Sequence, residues 1–163
     1  MIEVFHAPSP NVLKVVIALE ELAIPYKTTP VDLQAGEQKA PGFLRINPNG
    51  RLPAIVDDDP IGGGGPMTIF ESGVILTYLA EKAGALLPAD MRGRYEVLQW
   101  LQWQAAGFGP MLGQANHFMT LARQTVRYAI DRYRNETIRL YTVLDRRLQG
   151  RDYICGRHSI ADI

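Results

Sequence analysis

The polar groups best placed for chemistry stand at two helix starts and beside one proline. Ser9-Pro10-Asn11 opens one apolar-periodic run, and Glu71-Ser72 opens another. A hydroxyl and free backbone N–H groups at such a mouth favour an anion, because the helix dipole puts the equivalent of about half a positive charge there. Leu52-Pro53 leads into a run of β formers, Ala54-Ile55-Val56. Glu71 offers a carboxylate to an ammonium. Simpler uses stand beside each of these: Ser9 as an N-cap with Pro10 in the first helical position, Glu71-Ser72 as a cap, and Pro53 as a strand-entry proline.

Other chemistries are poorly served. Cys155 is the only cysteine, which rules out a CxxC pair and dithiol exchange within the chain, and its apolar setting reads as a buried structural thiol. His6, His117 and His158 have no metal-ligand spacing. The glycine run 62–65 is followed by no lysine and lies between two strand-like segments, so it is not a phosphate loop. Trp100, Trp103, Phe108 and Phe118 suit either an acceptor pocket or an aromatic core. Lys+Arg and Asp+Glu number 17 each, leaving no basic surplus to neutralise nucleic-acid phosphates. The composition, 47% hydrophobic and 21% charged, is that of a soluble globular chain. No secretory pattern opens the chain and no run approaches the roughly 18 apolar residues of a membrane span, so the expectation is a cytoplasmic protein.

The elements that must position these residues follow from periodicity and punctuation. Ile2 to His6 reads as a strand, Pro10 to Leu22 as a helix stopped before Pro25, and Tyr26 to Leu33 as a second strand. Pro30 removes a ladder donor, which confines that strand to a sheet edge or a bulge. A short helical piece near Phe43-Leu44 precedes the turn Asn47-Pro48-Asn49-Gly50. A hairpin then joins Leu52–Val56 to Met67–Phe70 across the glycine run, and an apolar helix runs from Ser72 to Gly84. The order β-α-β, β-β-α predicts a compact α/β domain with a mixed sheet over residues 1–86. From residue 90 to 163 the pattern is all-helical: Arg92 to Ala106, a break at Gly107 to Pro110, then a long helix from Gln124 to Leu148 closed by Gly150. Ser159-Ile160-Ala161-Asp162 is a capping-box variant with no helix after it, so the chain reads as a fragment of something longer.

In this order the segments resemble the cytosolic glutathione transferases, and within them the Nu-class-like group that includes disulfide-bond oxidoreductases and a yeast nitrogen regulator. Ala7-Pro8-Ser9-Pro10-Asn11, the stretch from Asn47 to Ala54, and Phe70-Glu71-Ser72-Gly73 carry the likeness. Gly109-Pro110-Met111-Leu112-Gly113-Gln114 points to the Nu-like group, and residues 128–133 and 159–162 extend the likeness over essentially the whole chain. The group usually has Thr where Ser9 stands, so the hydroxyl is kept. It usually has Gly where Val12 stands, and Val12 is expected to narrow the space near the helix start.

The resemblance implies a thioredoxin-like N-terminal domain followed by a partial helical glutathione-transferase C-terminal domain. It implies a cis Leu52–Pro53 bond, with Leu52 pairing with the cysteinyl residue of glutathione. Ser72 would hold the γ-glutamyl carboxylate and Glu71 the ammonium. Gln38 and Arg51 would meet the glycyl carboxylate, and Arg132 would touch glutathione from the helical domain, although Arg51 and Arg132 also suit solvated surfaces. Ser9 and Asn11 stand where thioredoxin relatives carry reactive cysteines, and would hydrogen-bond the ligand's sulfur. The implied activity is a glutathione-dependent disulfide-bond oxidoreductase or transferase, in which the thiolate belongs to the co-substrate glutathione and acts on a small disulfide or electrophile. The implied protein is a homodimer with no metal, nucleic-acid or membrane partner. A non-catalytic glutathione-binding regulator is the alternative. A cysteine-based glutaredoxin is excluded by the hydroxyl at position 9.

Overall fold

A computed structural model describes all 163 residues. They fall into two compact units, Met1–Leu87 and Pro88–Asp162, with Ile163 grouped with the first.

The first unit is built on a four-stranded sheet. Strands β1 (Ile2–His6), β2 (Tyr26–Pro30), β3 (Ala54–Asp57) and β4 (Met67–Phe70) lie in the order β2-β1-β3-β4. β1 pairs with β2 in parallel and with β3 antiparallel, and β3 pairs antiparallel with β4. β2 is an edge strand, as Pro30 requires. It is shorter than the sequence reading, because the Asp32 carboxylate accepts from the N–H groups of Gln34 and Ala35 and turns the chain away. β3 likewise starts at Ala54 rather than Leu52.

The register aligns Phe5, Ala54 and Phe70 on one face and Val4, Ile55 and Ile69 on the other. The Phe5 face is covered by the short helix α2 (Pro41–Leu44), whose Phe43 ring meets Phe5 edge-on at 5.9 Å. The opposite face is covered by α1 (Pro10–Glu21) and α3 (Ser72–Ala83), which pack together and bury Val15, Leu19, Ile75, Leu76 and Leu79. Each such side chain contributes about 1.5–3 kcal/mol relative to exposure. This is a thioredoxin-like layer arrangement, and it brings the N-termini of α1 and α3 to the boundary of one cavity.

Both helix ends are legible in residue chemistry. Ser9 caps α1, its hydroxyl accepting from the Val12 N–H at 3.3 Å, with Pro10 in the first turn. Val12 itself is 5% exposed and belongs to the core, so it does not narrow the cavity as expected. Gly84 ends α3 in a left-handed conformation, φ 67°.

The second unit is helical: α4 (Met91–Trp103), α5 (Gly109–Asn116) and α6 (Arg127–Leu148). Asp90 caps α4, accepting from the Gly93 N–H at 2.8 Å. The expected break at Gly107–Pro110 does not occur, because the helix runs on through a π-helical segment, Gln104–Phe108. Pro110 has no N–H for the carbonyl four residues back and its ring needs room there. The wider i→i−5 register, closed by Gly109 N–H on Gln104 C=O, supplies that room. A Cβ on Gly109 would lie 2.8 Å from Gln104 Nε2 and 3.2 Å from its carbonyl oxygen, which explains the glycine. A second π segment, His117–Leu121, precedes α6, which starts at Arg127 rather than Gln124.

The aromatic residues of this unit pack on one another: Trp100 on Trp103, Trp103 on Phe108 and Phe108 on Tyr141, all at 5.1–5.2 Å, and Phe118 on Tyr133 at 5.5 Å. The Arg147 guanidinium lies 5.1 Å over the Trp100 ring. Trp100, Trp103, Phe108 and Phe118 are half-buried, so they form a packed aromatic cluster and not a buried core. Ser159 and Asp162 form the capping box: the Asp162 carboxylate accepts from both the N–H and the hydroxyl of Ser159 at 3.0 Å. No helix of the structure is long and apolar enough to cross a membrane.

Candidate functional site

A cavity of about 760 Å³ opens on the first unit, and eight of the nine residues singled out as sites border it. Ser9 and Asn11 come from the start of α1, and Glu71 and Ser72 from the start of α3. Gln38 lies on a 3₁₀ turn (Glu37–Lys39), while Arg51, Leu52 and Pro53 lead into β3. Arg132 is not among these residues. It sits on α6 in the second unit, where it borders a separate cavity with Tyr128, Asp131 and Asn135.

The mouth of α3 borders the cavity without a side-chain cap. Glu71 makes no side-chain cap and only its carbonyl is engaged, by the Ile75 N–H at 2.9 Å. The N–H groups of Ser72, Gly73 and Val74 therefore have no partner within the helix, as at any uncapped start. With the Ser72 hydroxyl and the helix dipole they form an anion seat. Glu71 holds φ 68°, ψ 113°, a strained backbone for a residue with a side chain, of order 1–3 kcal/mol. That strain sits where the carboxylate borders the cavity.

The mouth of α1 has a different character. The Ser9 hydroxyl is already an acceptor for Val12 N–H. A hydroxyl has one proton and two lone pairs, so capping leaves its O–H free to donate. Capping α1 thus leaves the Ser9 hydroxyl a proton to donate into the cavity. Asn11 is exposed and presents an amide donor one residue past Pro10.

Between these two mouths runs the backbone before β3. The Leu52–Pro53 peptide is cis, as the resemblance implies. The strand ladder begins at Ala54, so the N–H and C=O of Leu52 stand outside it. Gln38 Oε1 is buried with no hydrogen-bond partner, while its amide nitrogen reaches the Leu33 carbonyl at 3.5 Å.

Sequence reasoning missed two contributors. Lys39 borders the cavity beside Gln38 and, with Arg51, supplies a second cation against the single carboxylate of Glu71. Its place next to Gln38 on a three-residue turn was the available signal. Asn47 also borders the cavity although its residue is only 2% exposed. Cys155 does not border it, and burial together with the nearby Glu96 charge pushes its thiol above the ordinary range. The arrangement suits an extended zwitterionic peptide with carboxylates at its ends and a nucleophilic atom near Ser9 and Asn11.

Residues 1–81 match the family described as glutathione S-transferase, N-terminal domain. The chain belongs to the glutathione S-transferase superfamily. Within it, the likeness is to the Nu-like group. The disulfide-bond oxidoreductase YfcG of Escherichia coli (strain K12) is 52% identical over 164 residues, an alignment covering 100% of this chain and 76% of that protein. A glutathione transferase from Burkholderia graminis, solved with two glutathione molecules bound per subunit, superposes with a TM-score of 0.95 at 43% identity, over 99% of this chain and 68% of that one. One from Pseudomonas putida, solved with one glutathione disulfide bound per subunit, gives 0.95 and 43% over 99% and 70%.

Proposed function

We propose that this protein binds glutathione in the cavity of its first unit and uses the bound thiolate to reduce disulfides. The observation that carries the reading is the convergence of an uncapped helix mouth at Ser72, an unpaired backbone edge at Leu52 and two polar donors at Ser9 and Asn11 around one cavity. The lining suits a tripeptide: γ-glutamyl carboxylate at the Ser72 mouth, ammonium at Glu71, cysteinyl backbone on Leu52, and glycyl carboxylate towards Gln38, Arg51 and Lys39. The glutathione and glutathione disulfide held by the similar transferases support this reading.

The chemistry follows from the sulfur's surroundings. A free thiol ionises near ~8.5, and donors at a helix start lower that value. Each pKa unit corresponds to about 1.4 kcal/mol, so one or two hydrogen bonds from Ser9 and Asn11 raise the thiolate fraction substantially at neutral pH. The thiolate attacks one sulfur of a disulfide, forming a mixed disulfide and expelling the other sulfur as a thiolate, which takes a proton. A second glutathione thiolate attacks the glutathione sulfur of that mixed disulfide. It forms glutathione disulfide and releases the second substrate thiol. Two glutathiones are oxidised, one substrate disulfide is reduced, and no protein cysteine takes part. The same thiolate would attack an electrophile in a conjugation. The name of the Escherichia coli relative favours disulfide reduction.

The test is turnover of hydroxyethyl disulfide by the full chain with glutathione, oxidised product being recycled by glutathione reductase. Turnover that falls at least tenfold in the Ser9→Ala, Asn11→Ala double variant, with glutathione binding retained, supports the proposal. Tight glutathione binding without turnover of disulfides or electrophiles would leave the non-catalytic regulator in its place. We carry the expectation of a cytoplasmic homodimer with this reading, and light scattering of the purified chain checks the assembly.

A further inference from the structure

The carboxamide of Asn47 is the most deeply buried polar side chain around the cavity, and both its ends are used. Its Nδ2 donates to the Arg51 carbonyl at 2.7 Å, and its Oδ1 accepts from the Asn49 N–H at 2.9 Å. Its own backbone closes the same loop, with Asn47 N–H on the Phe43 carbonyl and Gly50 N–H on the Asn47 carbonyl, each at 2.9 Å.

The Arg51 carbonyl is half of a peptide group whose other half is the Leu52 N–H. That peptide is trans and planar, so the carbonyl and the N–H point in opposite directions. A carbonyl drawn inward by a buried amide therefore turns the Leu52 N–H outward, to the side where a ligand backbone would lie. Gly50 secures the same loop from the other side. Its φ is +61°, and an added Cβ would lie 3.0 Å from the Gln38 carbonyl oxygen, so the loop rests directly on the turn that carries Gln38.

We propose that Asn47 is a positioning residue for the thiol substrate: through the rigid Arg51–Leu52 peptide, its buried carboxamide fixes the direction of the Leu52 N–H that receives the cysteinyl carbonyl. The inference rests on the glutathione reading. Asn47 touches neither the sulfur nor the reacting disulfide. Its effect falls on capture of glutathione and leaves the step at sulfur alone.

Calorimetric titration with glutathione and steady-state kinetics on the full chain test this, with Asn47→Ala and Asn47→Asp compared by thermal melts. The aspartate keeps the acceptor for Asn49 N–H and loses the donor to Arg51. Both variants are expected to bind glutathione about tenfold more weakly, equivalent to ~1.4 kcal/mol, and to raise KM for glutathione by a similar factor with kcat within twofold. The melting temperature of Asn47→Asp should stay closer to the parent. A residue that only held the fold would lower the melting point without moving KM. A folded Asn47→Asp protein with parental affinity overturns the proposal.

A measurement on the unaltered protein keeps the question open to refutation if both variants misfold. The Asn47 carboxamide protons should exchange slowly in the free protein, and saturating glutathione should shift and protect the Leu52 amide. A Leu52 amide unmoved by glutathione that does bind sinks the brace alone. Failure of the unaltered protein to bind glutathione sinks the functional reading together with it.

Discussion

Replacing Lys82 by Met will destabilise the first unit through a carboxylate far from the cavity. Asp57, at the end of β3, is fully buried, and three donors converge on it: the Tyr78 hydroxyl at 2.6 Å, the Lys82 ammonium at 2.8 Å and the Asp59 N–H at 3.0 Å. Lys82 also donates to the Asp59 carbonyl, and Tyr78 accepts from the Ile61 N–H at 3.2 Å. Burial alone would raise the Asp57 carboxyl, but the hydrogen bonds from Lys82, Tyr78 and Asp59 outweigh it and hold the group below the ordinary carboxylate range. The hydrogen bond to Asp57 raises the Lys82 ammonium, and burial, with the Asp57 bond adding to it, raises the Tyr78 phenol.

Met keeps most of the aliphatic stem of Lys82 and removes only its charge. Breaking a buried pair costs about 3–5 kcal/mol, and the 25% exposure of the Lys82 side chain puts the value at the low end, ~3 kcal/mol. For a chain of this length unfolding as one body, ~3 °C per kcal/mol gives a fall of roughly 9 °C in Tm at pH 7. The pH dependence has a definite sign. A depressed Asp57 contributes stability above its unfolded value near ~3.9 and loses it as pH falls through the lower folded value. A raised Lys82 contributes fully below ~10.4 and loses its contribution only as pH rises through a still higher folded value. Differential scanning calorimetry of parent and variant should therefore show a constant gap across neutral pH that closes as the solution is acidified below the carboxylate range. A gap under about 2 °C at pH 7, or one that persists unchanged in acid, refutes the reasoning.

Three further outcomes bear on the cavity. Asn11→Ala should move the acid limb of the pH profile of kcat/KM for the disulfide, at saturating glutathione, upward by about one unit, since a lost hydrogen bond to the thiolate of ~1.4 kcal/mol raises the bound thiol's apparent pKa by that amount; an unmoved limb would place the sulfur elsewhere. Ser72→Ala should raise the glutathione Kd roughly tenfold in titration calorimetry while the melting temperature stays nearly constant, because Ser72 does not cap α3. Gly50→Ala should cost ~1–2 kcal/mol in urea melts, from a positive φ of 61° and the 3.0 Å approach to Gln38, and should weaken glutathione binding as the Gln38 turn is pushed away.

Much of the first unit was legible because local chemistry and fold agree there. Ser9 followed by Pro10 marks the start of α1, Pro30 marks an edge strand, and the glycine run marks the β3–β4 hairpin. The pairing of Val4 with Ile55 in the core comes from the sheet register, which the strand readings alone did not assign. In the second unit the same logic misled, since Gly107 to Pro110 reads as a stop and the helix passes it by widening one turn. That outcome depends on room supplied by Gly109, which no local propensity encodes. The roles of Asn47 and of the Asp57–Tyr78–Lys82 cluster were also hidden. Each depends on burial and on partners 2 to 25 positions apart, and in the sequence these are ordinary polar residues. The expectation that Ser9, Leu52 and Ser72 share one site came from family resemblance. Their individual chemistry said only that each could hold an anion or a strand.

The two ends of α3 divide their duties unequally. Its last turns are fastened by Tyr78, Lys82 and the Gly84 turn, whereas its first turn has no side-chain cap and sits behind a strained Glu71. A library screened for heat resistance alone would therefore favour Gly at position 71, which relieves the positive φ but removes the carboxylate that borders the cavity. Selection for hardiness and selection for ligand capture pull this helix in opposite directions.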